Sequence, residues 1–201
     1  MMYRYVGDES ISLNHFVPFV FTFEYSYSLP TLCASGFFHD ADMLALSEIM
    51  HQHGNSSLKH IRRLDFSLAG RQGKLNGKKG FQSHGAFALS KFLLKSKYVE
   101  EIYLQRNFIG PDGATALFEM LKHNRVVKIL KMRRCGIGEG GAMAFADMLV
   151  CRKYKLDIDL SVNRIGVIGC QEIEAALTKR YDEGQPININ LEGNLVFPES
   201  E

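Results

Sequence analysis

A pattern that returns every 28 residues constrains this chain more than any other feature. Residues 102 to 113 run Ile102-x-Leu104-x-x-Asn107-x-Ile109-Gly110-x-x-Gly113, an apolar alternation of strand length that closes on turn residues. The same frame then holds Leu130, Met132, Cys135, Ile137, Gly138 and Gly141, and after it Ile158, Leu160, Asn163, Ile165, Gly166 and Gly169. Behind each strand a helical period takes over. Ala114, Leu117, Phe118 and Leu121 share one helix face, and Ala142, Phe145, Ala146 and Leu149 repeat it. Cys170, Ile173 and Leu177 keep the stripe in the third unit, where Glu174 interrupts it.

Each unit is therefore strand, turn, helix, and none can bury its apolar face alone. Stacking the units gives an α/β solenoid with a parallel sheet on the concave side and helices on the convex side. Two further units have altered lengths. Leu64-x-Phe66 precedes a helix carrying Ala86, Leu89 and Leu93, and Ile189-x-Leu191-x-x-Asn194 follows a spacer near Gly184 and Pro186. We expect about five rungs within residues 37–201, on the usual logic of stacked repeats, with the first helix over Asp40 to His53. Residues 1–36 form an aromatic arm. Phe19, Phe21, Phe23, Tyr25 and Tyr27 alternate as a strand would, either capping the first repeat or anchoring the chain elsewhere.

The unit is similar to that of the ribonuclease-inhibitor-like leucine-rich-repeat family, L-x-x-L-x-L-x-x-N/C-x-I/L followed by a glycine-flanked helix, over residues 58–195. The resemblance implies a short segment of right-handed α/β horseshoe. It also implies that Asn107, Cys135, Asn163 and Asn194, at the Asn/Cys place, satisfy backbone groups of the turn. In function it implies a protein-binding module without a cofactor. That family also contains activators of small GTPases and immune sensors.

Motifs that suggest chemistry give way to the repeat. Gly136-Ile137-Gly138-Glu139-Gly140-Gly141 matches a dinucleotide fingerprint, with Asp157 and Asp159 beyond it. Its glycines recur at Gly110 and Gly113 and at Gly166 and Gly169, so the solenoid turn accounts for them. The insertion at 70–80 fails as a phosphate loop, because Gly73 to Gly77 is too short a gap and no Ser or Thr follows Lys78. It reads instead as a glycine-rich loop, either a tolerated insertion or a cationic finger built on Arg71, Lys74, Lys78 and Lys79. The histidines lack metal-ligand spacing, and no nucleophile–base pair can be nominated. We expect no enzyme activity, no metal and no cofactor.

The formal net charge of +2 is too small for a dedicated nucleic-acid binder. The four cysteines lack C-x-x-C spacing, which favours reduced thiols and an intracellular, cytoplasmic setting, with a mitochondrial one left open. The apolar run Phe16 to Phe23 is broken by Pro18, closed by Glu24 and preceded by Asp8 and Glu9. It suits neither a membrane span nor a signal peptide.

Strand alternation places Tyr103 and Gln105 on the concave face, with Arg106 at the strand end. The next rungs add Lys131, Arg133 and Arg134, then Asp159, Ser161 and Val162, then Asn190 and Glu192, with Asp65 and Ser67 on the other side. The expected surface is a basic centre between acidic flanks, suited to a protein partner with an acidic patch. A second basic edge collects Lys95, Lys97, Lys122, Arg125, Arg152, Lys153, Lys179 and Arg180 near helix C-termini, where cations also meet the helix dipole. The leading expectation is a non-catalytic protein–protein interaction module, an adaptor or structural subunit of a complex. The alternatives are a small-GTPase activator and an RNA-associated subunit using the basic edge, although that edge lacks an interleaved aromatic pattern.

Overall fold

The computed structural model describes residues 20–26, 29–35, 40–52, 61–67, 81–180 and 186–194. Its sheet runs in chain order through β1 (Val20–Ser26), β2 (Leu29–Ser35), β3 (Arg63–Asp65), β4 (Glu101–Tyr103), β5 (Ile129–Lys131), β6 (Leu156–Asp159) and β7 (Ile187–Asn190). Between successive strands from β2 onward lie α1 (Asp40–Gln52), α2 (Ser83–Lys95), α3 (Gly110–His123), α4 (Glu139–Cys151) and α5 (Val167–Lys179). All pairings from β2 to β7 are parallel. The molecule is thus an α/β solenoid segment of six parallel strands in one open sheet alternating with five helices. β1 adds antiparallel to the free edge of β2, with Val20 opposite Ser35.

The register follows the repeat. Leu32, Leu64, Ile102, Leu130, Ile158 and Ile189 form one row across the sheet. The five anticipated rungs correspond to β3 to β7, and β2 is a further parallel strand that the repeat pattern did not announce. It lies inside the stretch assigned to the arm. Phe21, Phe23 and Tyr25 belong to β1. Phe16, Phe19 and Tyr27 lie outside the described residues, as does the 70–80 loop with Arg71, Lys74, Lys78 and Lys79.

Inward residues of β3 to β6 and the helix stripes make one continuous core, containing Leu64, Ile102, Leu130 and Ile158 with Leu89, Leu117, Phe118 and Phe145. Phe118 and Phe145 meet at 5.2 Å between ring centroids, tying α3 to α4. Close packing of the helix start against its own turn isoleucine and the preceding helix explains one glycine of each unit. A Cβ on Gly141 would lie 2.6 Å from Ile137 Cγ2, on Gly113 2.7 Å from Ile109 Cγ2, and on Gly169 2.7 Å from Ala142 Cβ. These contacts give Gly141 the same packing role as Gly113 and Gly169, as the repeat requires. At α5, Glu174 is exposed and Leu177 half-exposed while Ile173 and Ala176 are buried. Among the described residues no further helix covers that side, so the broken stripe costs little.

Two polar ladders bind each rung to the one before it. Asn163 Nδ2 donates to the carbonyls of Met132 (2.9 Å) and Leu160 (2.8 Å), while its Oδ1 accepts from the N–H of Cys135 (2.8 Å) and Ile137 (3.2 Å). Asn107 donates to Phe66 and Leu104 carbonyls, and Asn194 to those of Leu160 and Leu191. Cys135 Sγ donates to the Leu104 carbonyl at 3.1 Å, and burial pushes this thiol up to about 12.

The second ladder runs along the helix C-termini. Asn124, which caps α3, donates to the Leu93 carbonyl at 2.6 Å. One rung on, Arg152 caps α4 and donates to the carbonyls of Leu121 (2.8 Å), Asn124 (2.7 Å) and Val127 (2.5 Å). Further bonds reach Tyr154 and Lys155, so every part of the buried guanidinium is satisfied by backbone. Arg180 then donates to the Arg152 carbonyl at 3.0 Å. Burial, followed by repulsion from Arg180, pulls the Arg152 pKa down to about 10.

Candidate functional site

The sheet face turned away from the helices carries the second residue of each alternation, and its polar side chains pair in a definite pattern. Arg63 and Glu101 stand opposite each other on β3 and β4, and an Arg63 guanidinium nitrogen lies 2.7 Å from the Glu101 carboxylate. Tyr103 donates its hydroxyl to the same carboxylate at 3.1 Å, and its ring lies 5.0 Å from the Arg63 guanidinium carbon. Partial burial, with Glu101 beside it, pushes the Tyr103 phenol above its ordinary range. Gln105 accepts from the Ser67 hydroxyl at 2.6 Å.

Lys131 is not an unpaired cation of the basic centre. Its Nζ reaches diagonally to Asp157 at 2.9 Å, although the register sets it opposite Asp159. The reason is local: Asp159 Oδ1 accepts from the N–H of Ser161 at 2.9 Å and closes the turn after β6. Asp65 and Asn190 make the same bond to the residue two positions on. Ser161 also departs from expectation. At 0% exposure it does not line the surface, because a short side chain lies between the rungs of Arg133 and Glu192. Glu192 itself is exposed.

What remains is concentrated at the C-terminal ends of β4 and β5. Arg106, Arg133 and Arg134 are exposed, and among the described residues none of the three side chains forms an ion pair. Arg106 and Arg134 also share an uncommon backbone, with φ of 61° and 55°. Val162 and Gly193 hold the corresponding place in the next two rungs, at 55° and 69°. Glycine adopts this left-handed conformation without penalty, whereas a side chain there costs about 1–2 kcal/mol. Phe108, 64% exposed in the turn after Arg106, adds an apolar ring that the alternation did not single out. Its signal was its place between the inward Asn107 and Ile109.

The strands stack in parallel with helices behind them, and Asn or Cys stands at four successive turns, Asn107, Cys135, Asn163 and Asn194. Residues 123–146 match the leucine-rich repeat family model. The match covers the end of α3, all of β5 and more than half of α4, which is most of one unit. Comparison with curated proteins returns no match. A leucine-rich repeat open along one sheet face is a protein-interaction architecture of a generally non-catalytic family. No helix among the described residues is long and apolar enough to cross a membrane, and no metal-ligand cluster occurs among them.

The second basic edge shrinks when its geometry is seen. Arg152 is 1% exposed and committed to backbone carbonyls. Lys122 pairs with Glu119 at 2.6 Å, and Arg180 bonds to the Arg152 carbonyl.

Proposed function

We propose that this leucine-rich repeat chain is a non-catalytic adaptor or structural subunit of the ribonuclease-inhibitor-like, 28-residue kind. It holds a protein partner whose acidic patch seats on Arg106, Arg133 and Arg134. One observation carries the reading: these guanidinium groups are exposed without carboxylate partners among the described residues, two of them on backbone that glycine or asparagine would adopt more cheaply. Arginine beside an exposed aromatic such as Phe108 is the composition of an interaction hot spot. Tyr103, Gln105, Lys131, Asp159 and Glu192 form the flank, where internal pairing sets shape more than charge. We read residues 1–36 as the cap of the solenoid, with β1 covering the edge of β2. The free thiols of Cys135, Cys151 and Cys170 favour a reducing, intracellular setting.

Affinity purification from the native source tests this directly. Arg133→Glu with Arg134→Glu is expected to lose the partner that the unmodified chain and Lys153→Glu both recover. Recovery of the same partner by the double variant would sink the reading.

A further inference from the structure

The ends of the strands opposite the Arg106 corner form a second rim, made by residues 95–100, 124–128 and 152–156. The chain as a whole is close to neutral, yet these three loops contain a single carboxylate, Glu100. Lys128 Nζ already lies 2.6 Å from it. Lys97, Arg125 and Lys153 hold the same place in three successive rungs, and all are exposed, as is Lys155. Cations near helix C-termini usually answer the helix dipole. Here Asn124, Arg152 and Arg180 donate to the carbonyls at those ends, so the exposed cations exceed that need.

The loops also supply aromatic interleaving, contrary to the reading of this edge from sequence. Tyr98 follows Lys97, and Tyr154 stands between Lys153 and Lys155. The Arg62 guanidinium lies 5.3 Å from the Tyr98 ring centroid and that of Arg125 5.2 Å from Tyr154, which orients both rings. Tyr154 is 39% exposed.

We propose that this rim binds single-stranded nucleic acid, with phosphates along Lys97, Arg125, Lys153 and Lys155 and bases stacked on Tyr98 and Tyr154. Neighbouring strands lie about 4.8 Å apart, so the cations recur at a short, regular step that suits a regularly charged polymer. Tyrosine faces accept any base, and a stacked guanidinium strengthens such platforms. An acidic peptide would use the cations but gain nothing specific from the rings. The site is independent of the arginine corner at the other end of the strands.

Fluorescence anisotropy of a labelled short oligouridine with the full chain tests the proposal. Four phosphate contacts give a slope of about −3 for log affinity against log salt between about 50 and 200 mM. Lys97→Glu with Lys153→Glu and Lys155→Glu is expected to weaken binding at least about tenfold, since each reversal replaces a phosphate contact by repulsion. Tyr154→Ala is expected to weaken it at least about fivefold, whereas Tyr154→Phe retains it. Arg133→Glu with Arg134→Glu leaves it unchanged. Thermal melts establish that each variant is folded, and Lys153→Gln with Lys155→Gln gives the same direction should the reversal disturb folding. Absence of binding, a Tyr154→Ala variant that binds like the unmodified chain, or polyglutamate competing as well as unlabelled oligouridine would each overturn the proposal.

Discussion

Asn163 shows what a single side chain does in this architecture. It supplies two donors to carbonyls on two rungs and one acceptor to two N–H groups of the preceding turn. Cys135 holds the same place with a thiol, which can serve the Leu104 carbonyl but offers no comparable acceptor. Replacing Asn163 by alanine strands buried backbone groups that cost about 1–3 kcal/mol each when unsatisfied. Asn163→Ala is expected to lower unfolding stability by about 3 kcal/mol or more in urea titrations, with Asn163→Cys recovering about 1 kcal/mol. Equal stability of the alanine and cysteine variants would show that the carbonyl bonds contribute nothing. The residue type at this turn is legible in sequence because only a small polar or thiol side chain fits it. The left-handed backbone just before it is not, since Arg106, Arg134 and Val162 carry no glycine signature.

At the scale of elements, period and face are legible and pairing is not. β4, β5 and β6 stand where the alternation puts them, and α3, α4 and α5 bury the stripes read from their sequences, apart from the exposed end of α5. β2 was hidden because the 28-residue frame does not extend to it, and its short run resembles the aromatic arm beside it. The outward set Tyr103, Gln105, Lys131 and Arg133 follows from alternation. The diagonal bond from Lys131 to Asp157 depends on Asp159 being engaged by its own turn, which no spacing reveals. Arg152 was misread for a similar reason. As an isolated helix terminus it is a surface cation, and only stacking brings it the carbonyls of Leu121, Asn124 and Val127 from the end of α3 and the loop after it. Arg152→Met keeps the bulk and removes every donor. It is expected to destabilise by about 3 kcal/mol or more, in the range seen when buried polar partners are removed. Calorimetry would measure this, and a change below about 1 kcal/mol would mean that water replaces the guanidinium without loss.

Over the whole molecule, contacts run from each helix to the next and from each strand to the next, so stability is close to a chain of neighbour terms. Damage should therefore stay local. Asn194, in the last described turn, accepts from the N–H groups of Asn163 and Ile165 and donates to the Leu160 carbonyl. Asn194→Ala is expected to speed amide exchange in β6 and α5 first, leaving β3 to β5 protected. Uniform loss of protection would show instead that the solenoid opens as one unit.

The two polar ladders share a direction. Asn107, Asn163 and Asn194 along the turns, and Asn124, Arg152 and Arg180 along the helix ends, all come from a later rung and reach back to carbonyls of an earlier one. A nascent chain leaving the ribosome amino end first thus presents each rung with its carbonyls still open, and the next stretch of polypeptide brings the groups that close them. Assembly by the cell and wiring of the solenoid advance the same way, one rung in arrears.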